Sequence, residues 1–186
     1  MVKLNRIYTR TGDKGKTGLG DGTRVAKSAL RIALLGVIDE ANAAIGLARL
    51  QAGKKLDRLL AAIQNDLFDL GADICVPEKP RKKSPLRVTA AQVARLEREI
   101  DALNAKLEPL SSFVLPGGCA AAAHLHLART VVRRAECLAV ALAEKEPLNG
   151  EALRYLNRLS DHLFVAARIA NAKGKKDVLW RPGAGR

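Results

Sequence analysis

The sequence predicts an all-α protein, a five-helix up-and-down bundle preceded by a glycine-rich N-terminal loop. Three observations carry that reading. A length of 186 residues favours one compact domain. Hydrophobic residues make up 48% and aromatics only 3%, so the core is built from Ala, Leu, Ile and Val, a mixture that suits helices better than a sandwich or barrel. Finally, apolar positions recur along most of the chain at alternating spacings of four and three, the stripe of an amphipathic helix. A chain of this size buries roughly 70% of its extended-state surface, enough for a core without disulfides or a structural metal.

Each element follows from its own stretch. Residues 8–27 hold five glycines and five cations with no hydrophobic period, and read as a loop. Leu34, Ile38, Ala41, Ile45 and Ala48 define a first helix at about 28–50, closed by Gly53. Leu56, Leu60, Ile63, Leu67, Leu70 and Ile74 define a second, which ends before Pro77. The stretch 77–85, with three prolines and four cations, reads as an exposed connector. Thr89 and Gln92 form a capping box for a third helix carried by Val93, Leu96, Ile100, Leu103 and Leu107 and ended by Pro109. Residues 111–118 reset the chain direction, and an alanine-rich run at about 119–145 makes the fourth helix, broken by Pro147 and Gly150. The fifth spans about 151–171 with Leu156, Leu159, Leu163, Ala167 and Ala170 on its buried side, and a Gly/Lys/Pro tail follows.

Composition also excludes functions. Cys75, Cys119 and Cys137 are odd in number, widely spaced and free of a C-x-x-C pair, which speaks against a disulfide framework or a thiolate zinc site and for a reducing, cytoplasmic home. No signal peptide or membrane span is expected, because no apolar run approaches roughly 18 residues. Basic side chains number 32 and acidic ones 19, for a net charge of +13, which points to anionic partners. Nucleic acid is not the expected partner, since the few aromatics are scattered and no docking motif occurs.

Two groups could carry chemistry. In the loop, glycines let backbone N–H groups crowd an anion while Arg10, Lys14, Lys16, Arg24 and Lys27 supply charge. It is neither a Walker A loop, because Arg10 stands where the motif needs glycine, nor a G-x-G-x-x-G; a mobile basic tail is the plainer alternative. On the fourth helix, Arg129, Arg133 and Glu136 share one face, with Arg134 pointing elsewhere. A solvated surface is the ordinary explanation, but apolar residues surround the helix and leave little room for an exposed side, so these charges call for a partner or ligand. Arg154, Asn157, Asp161 and Arg168 read as one polar side of helix five, while Asp39 and Asn42 flank the stripe of helix one. His124, His126 and His162 form no metal-ligand pattern and read as structural.

These residues sit within Thr9-Arg-Thr-Gly-Asp-Lys-Gly15, Gly36-Val-Ile-Asp-Glu40, Phe113-Val-Leu-Pro-Gly-Gly118, Ala128-Arg-Thr-Val-Val-Arg-Arg-Ala-Glu136 and Tyr155-Leu-Asn-Arg-Leu-Ser-Asp161. Together, in order and spanning nearly the whole chain, the five fragments resemble the PduO-type ATP:cob(I)alamin adenosyltransferases. The resemblance implies a homotrimer with ATP sites between neighbouring subunits, cobalamin bound beside them, and attack of cobalt(I) on the 5′ carbon of ATP to give adenosylcobalamin and triphosphate. It divides one domain, 1–186, into a nucleotide-binding loop at 1–27, a bundle at 28–171 and a tail at 172–186.

By the same likeness Thr9, Arg10, Thr11, Gly12, Asp13, Gly15, Thr17, Gly18 and Lys27 line the nucleotide in one subunit, and Arg133, Arg134, Glu136, Cys137 and Asn157 complete the pocket from the next. Asp39 pairs with Arg129 across the interface, and Phe113 occupies the lower face of the corrin. Mg²⁺ bridging phosphate oxygens, a reductase and an adenosylcobalamin-dependent enzyme complete the expected partners. Two residues depart from the family pattern: Cys137 stands where arginine is usual, and Cys119 where serine is usual. A trimeric nucleotide or cobalamin carrier without chemistry, and a basic helical nucleic-acid binder, are the alternatives from other classes.

Overall fold

A computed structural model describes residues 7–79 and 84–185, so 80–83 of the expected connector lie outside the described residues. Five helices dominate: α1 (Leu30–Arg49), α2 (Lys54–Cys75), α3 (Ala90–Asn104), α4 (Ala120–Ala143) and α5 (Gly150–Ala170). Every apolar position that defines the stripes of α1 and α2 is buried. Asn149, rather than Pro147 or Gly150, sets the start of α5, its side-chain oxygen accepting from the Glu151 N–H at 3.0 Å. The α3 capping box forms, with the Thr89 N–H donating to Gln92 Oε1 at 2.9 Å.

The alanine-rich α4 lies at the centre, packed on α1 on one side and α5 on the other, with α2 outside α1 and α3 outside α5. Ala121, Ala122, Ala128, Ala135 and Ala139 are all buried there, and such small side chains let neighbouring helices approach closely. Polar groups stitch the outer helices on. Asp66 of α2 accepts from the Tyr155 hydroxyl of α5 at 2.7 Å and pairs with Arg95 of α3; burial and this carboxylate push the Tyr155 phenol well above its ordinary range. Asp73, also buried, takes the Val88 N–H at 2.8 Å and the Asn149 side chain at 2.7 Å, tying the α2 end to the entry of α3 and α5.

The regions that read as loop and tail contain more order than periodicity could reveal. Within residues 8–27, β1 (Lys16–Gly18) and β2 (Arg24–Ala26) pair antiparallel, Thr17 opposite Val25. This hairpin hangs on the α2 end, because the Gly20 N–H donates to the Cys75 carbonyl at 3.0 Å and to its Sγ at 3.1 Å. A Cβ at Gly20 would stand 2.7 Å from the Val76 side chain, so only glycine allows that approach. At the other end β3 (Val114–Leu115) pairs antiparallel with β4 (Val178–Leu179), folding the tail back on the 111–118 segment.

Asn171 fastens this second strand pair. Fully buried, it accepts from the Cys119 N–H at 3.0 Å and donates to the Gly117 carbonyl at 3.2 Å and to Asp177 at 3.1 Å. Gly118, at φ +100°, packs so tightly on this amide that a Cβ would overlap it. Beside it Arg168 and Asp177 form an ion pair at 2.8 Å, 7% and 2% exposed, with a further Arg168 bond to the Glu108 carbonyl. Arg168 is therefore a buried brace and Arg154 an outward partner of Glu151; the polar side expected on α5 splits into unrelated parts. We predict that Asn171→Ala, which strands the Cys119 N–H and the Gly117 carbonyl and removes one contact to Asp177, lowers stability by about 2–3 kcal/mol, read as a shifted urea midpoint at unchanged slope.

Candidate functional site

The N-terminal loop makes a tight turn closed by its own amides, the Asp13 N–H donating to the Arg10 carbonyl at 3.4 Å. Arg10 adopts φ +60° and Gly15 φ +73°, closing a turn in which Gly15 N–H donates to the Gly12 carbonyl at 3.2 Å. Lys27 N–H returns to the Gly15 carbonyl at 2.8 Å, and its ammonium lies so near Gly12 that a Cβ there would be 3.1 Å from Nζ. The Lys27 charge is thereby held over the turn. Thr9 and Thr11 share a hydroxyl contact at 2.9 Å, and the Arg10 guanidinium stacks 5.5 Å from the Tyr8 ring centre. Asp13 and Gly18 are exposed and Thr17 half-buried on the same hairpin. Arg24 is turned inward instead, its guanidinium donating to the Thr11 carbonyl at 2.7 Å and the Lys16 carbonyl at 3.2 Å and so bracing the loop.

On α4 the expected face is real, though its members have unlike surroundings. Arg133 and Cys137 are exposed, and Arg134 pairs with Glu40 of α1 on the other side of the helix. Glu136 accepts from the Asn157 Nδ2 at 2.8 Å, joining α4 to α5. Arg129 is half-buried with its Nε cut off from solvent and unpartnered among the described residues; burial and then Arg133 pull its pKa below the ordinary arginine value. Asp39, on α1, is exposed in a groove beside Phe68 and Cys75 and forms no ion pair among the described residues.

Arg129 also lines a cleft of about 500 Å³ with Phe113, Val114, Leu110 and Phe164. Phe113 is 77% exposed, yet its place is fixed: the Trp180 N–H donates to its carbonyl at 2.8 Å, Ser112 Oγ donates to the Trp180 carbonyl at 2.8 Å, and the two rings sit 5.9 Å apart. A large apolar ring held out in water on a braced strand is an unusual use of surface. Trp180 and Phe164 are residues that sequence reasoning misses; for Trp180 the available signal is the apolar run Val178-Leu179-Trp180 in a largely polar tail.

The structure therefore brings Arg129 to Phe113 and Asn157 to Glu136. No hydrogen bond or ion pair among the described residues joins the 9–27 hairpin to Arg129, Arg133, Glu136 or Asn157, or Asp39 to Arg129. His162 pairs with Glu99 at 2.9 Å, and His126 packs edge-on against Phe164 with both ring nitrogens buried and unpartnered among the described residues. Among the described residues no group of three His, Cys, Asp or Glu could hold a metal, and no helix is long and apolar enough to cross a membrane.

Fold and site define a class: a helical bundle with a glycine-rich, cation-bearing hairpin and a charged α4 face that share no hydrogen bond or ion pair among the described residues. Residues 7–170 match the family model for cobalamin adenosyltransferase. A corrinoid adenosyltransferase of Mycobacterium tuberculosis is 53% identical across 100% of this chain and 97% of that protein. A PduO-type ATP:corrinoid adenosyltransferase of Lactobacillus reuteri, solved with cobalamin and ATP and carrying histidine for one phenylalanine, superposes with a TM-score of 0.89 at 35% identity, covering 95% of this chain and 97% of that one. A second structure of that enzyme, with lysine for one arginine and ATP bound, gives 0.87 and 36% over 95% of this chain and 100% of its own. The chain belongs to the cobalamin adenosyltransferase family, PduO type, and is a corrinoid adenosyltransferase.

His126 borders the cleft through Phe164, and burial, reinforced by Arg129, lowers its pKa below 6.5. A histidine depressed in the fold stabilises above its unfolded value and loses that contribution as pH falls through 6.5 toward the folded value. The urea midpoint should thus drop between about pH 7.5 and pH 5.5, and His126→Leu should flatten part of that decline. Equal slopes in both proteins would assign the decline to other groups.

Proposed function

We propose that two copies of this chain build each active site, one supplying the hairpin and the other the α4 face, in a homotrimer that transfers the 5′-deoxyadenosyl group of ATP to cob(I)alamin. The observation that carries this is a pair of unmatched charges: the shielded Arg129 Nε and the exposed Asp39 each lack a partner among the described residues. A guanidinium nitrogen shielded from water and left without an acceptor is unfavourable, and a carboxylate from a neighbour would supply the missing partner. The separation of hairpin from α4 face supports the same arrangement, which a closed cyclic symmetry satisfies at every site.

In this reading Thr9, Arg10, Thr11, Gly12, Asp13, Gly15, Thr17 and Gly18 enclose the triphosphate, and Arg133, Arg134, Glu136, Cys137 and Asn157 close on the nucleotide from the partner. Cobalt(I) is the nucleophile, so no serine, cysteine or histidine needs activation. Its electron pair forms the Co–C bond while the C5′–O bond breaks and the pair leaves with triphosphate. Negative charge grows on that leaving group, and Lys27 and Arg133 are placed to meet it, as a point charge and as a fork. Mg²⁺ would bridge the phosphate oxygens and help neutralise the charge that develops on the departing triphosphate. Phe113, exposed and braced by Trp180, suits a ring laid under the corrin, keeping water and the lower base from cobalt and easing its reduction by a reductase partner.

A mixing experiment tests the shared site. Lys27→Ala and Arg133→Ala should each lower turnover about 100-fold. Trimers reassembled from equal amounts of both should regain about a quarter of wild-type turnover, since one interface in four pairs the two intact halves. No recovery after verified exchange would place both residues in one subunit's site. Phe113→Ala should keep ATP binding but use cob(II)alamin poorly under a weak reductant; equal loss with pre-reduced cob(I)alamin would refute the role of the ring.

A further inference from the structure

Asn157 has two ends, and both are already engaged within the chain. Its Nδ2 donates to Glu136 Oε1 at 2.8 Å, and its Oδ1 accepts from NH1 of Arg158, the next residue along α5. Arg158 is anchored in turn, its Nε donating to Glu97 Oε1 of α3 at 2.9 Å. A carboxamide can turn over by half a rotation at little intrinsic cost, exchanging its donor and acceptor ends. Here the exchange would set the NH₂ group against a guanidinium and the oxygen against a carboxylate, so both contacts oppose it. One N–H of Nδ2 and one lone pair of Oδ1 are left over with a fixed sense.

We infer that Arg158 is a positioning residue for the transfer reaction: held by Glu97, it locks the Asn157 amide in the one orientation that presents its free N–H and lone pair correctly to the nucleotide. The inference rests on the placement of Asn157 at the nucleotide. Arg158 itself need not touch ATP, because two of its donors already join Asn157 to Glu97 within its own subunit. Glu97 thereby couples α3, which packs on the outer side of α5, to the polar pair on α4 and α5. Charge alone would not serve, since a cation lacking an N–H within reach of Oδ1 leaves the amide free to turn.

The test is a double-mutant cycle read in ATP KM, cobalamin KM and kcat, with thermal midpoints as a folding control. Arg158→Met, which keeps the stem and removes the donor, should raise the ATP KM about tenfold and leave the cobalamin KM unmoved. Arg158→Lys, still able to donate one bond, should stay within about threefold of wild type. The double variant Asn157→Ala with Arg158→Met should have the ATP KM of Asn157→Ala alone, because a residue acting only through Asn157 has nothing left to act on. Penalties that multiply in the double variant, a wild-type ATP KM in Arg158→Met, or a lysine as harmful as the methionine would each overturn the inference. A wild-type ATP KM in Asn157→Ala would instead overturn the placement of Asn157 at the nucleotide, and the role of Arg158 with it.

Discussion

The close packing of α4 between α1 and α5 governs everything built around it. Five buried alanines on one helix leave two of its sides occupied by neighbours, so its charged residues are compressed into what remains. On an isolated helix Arg129, Arg133 and Glu136 would be three solvated side chains of small energetic weight. Confined to the rim of a closed packing surface, Arg129 loses solvent from its Nε, and Glu136 meets Asn157 across the α4–α5 seam. Small residues in the core thus create the electrostatic tension at the edge, and that tension asks for a partner carboxylate or an anionic ligand.

The two terminal strand pairs solve a complementary problem, which is how to give loops a fixed shape without a large sheet to join. Each is a minimal ladder fastened to a helix end: the hairpin through Gly20 to Cys75, and the tail pair through Asn171 at the end of α5. Two-stranded ribbons are marginal alone, so the anchoring amide and the buried Arg168–Asp177 pair decide whether they persist. What they hold in place differs. The first holds the Lys27 ammonium over the turn at Gly12; the second presents an exposed aromatic ring.

Much of this is legible in the sequence, for a reason particular to helices. The stripes of α1 and α2 can be read residue by residue because a helix packs by a period of its own chain, and Thr89 with Gln92 announces a helix start locally. The loop motif, the α4 face and Phe113 are also readable as residue types in order. Two of the failures share a physical origin: they are pairings between residues far apart in the chain. Ser112 meets Trp180 across 68 positions and Arg158 meets Glu97 across 61, and no periodicity records either. Arg168 reads as part of a polar face for a different reason: its partner Asp177, only nine positions on, lies beyond the helix, in a tail that composition marks only as Gly, Lys and Pro. Arg24 reads as a phosphate-binding charge because charge is visible in a sequence and a brace between two carbonyls is not.

The departure at Cys137 can be weighed against this geometry. An arginine there would add a third guanidinium to a helix stretch that already holds Arg133 and Arg134, and like charges one turn apart oppose one another. With cysteine the position itself is exposed and carries a short side chain in place of a guanidinium. Arg134 is engaged with Glu40, which leaves Arg133 as the cation on this stretch without an ion pair among the described residues. Leaving-group stabilisation would then be concentrated on fewer groups, Arg133 from α4 and Lys27 from the hairpin, each of greater individual weight. Such concentration is compatible with transfer, because the charge to be met develops at one bridging oxygen.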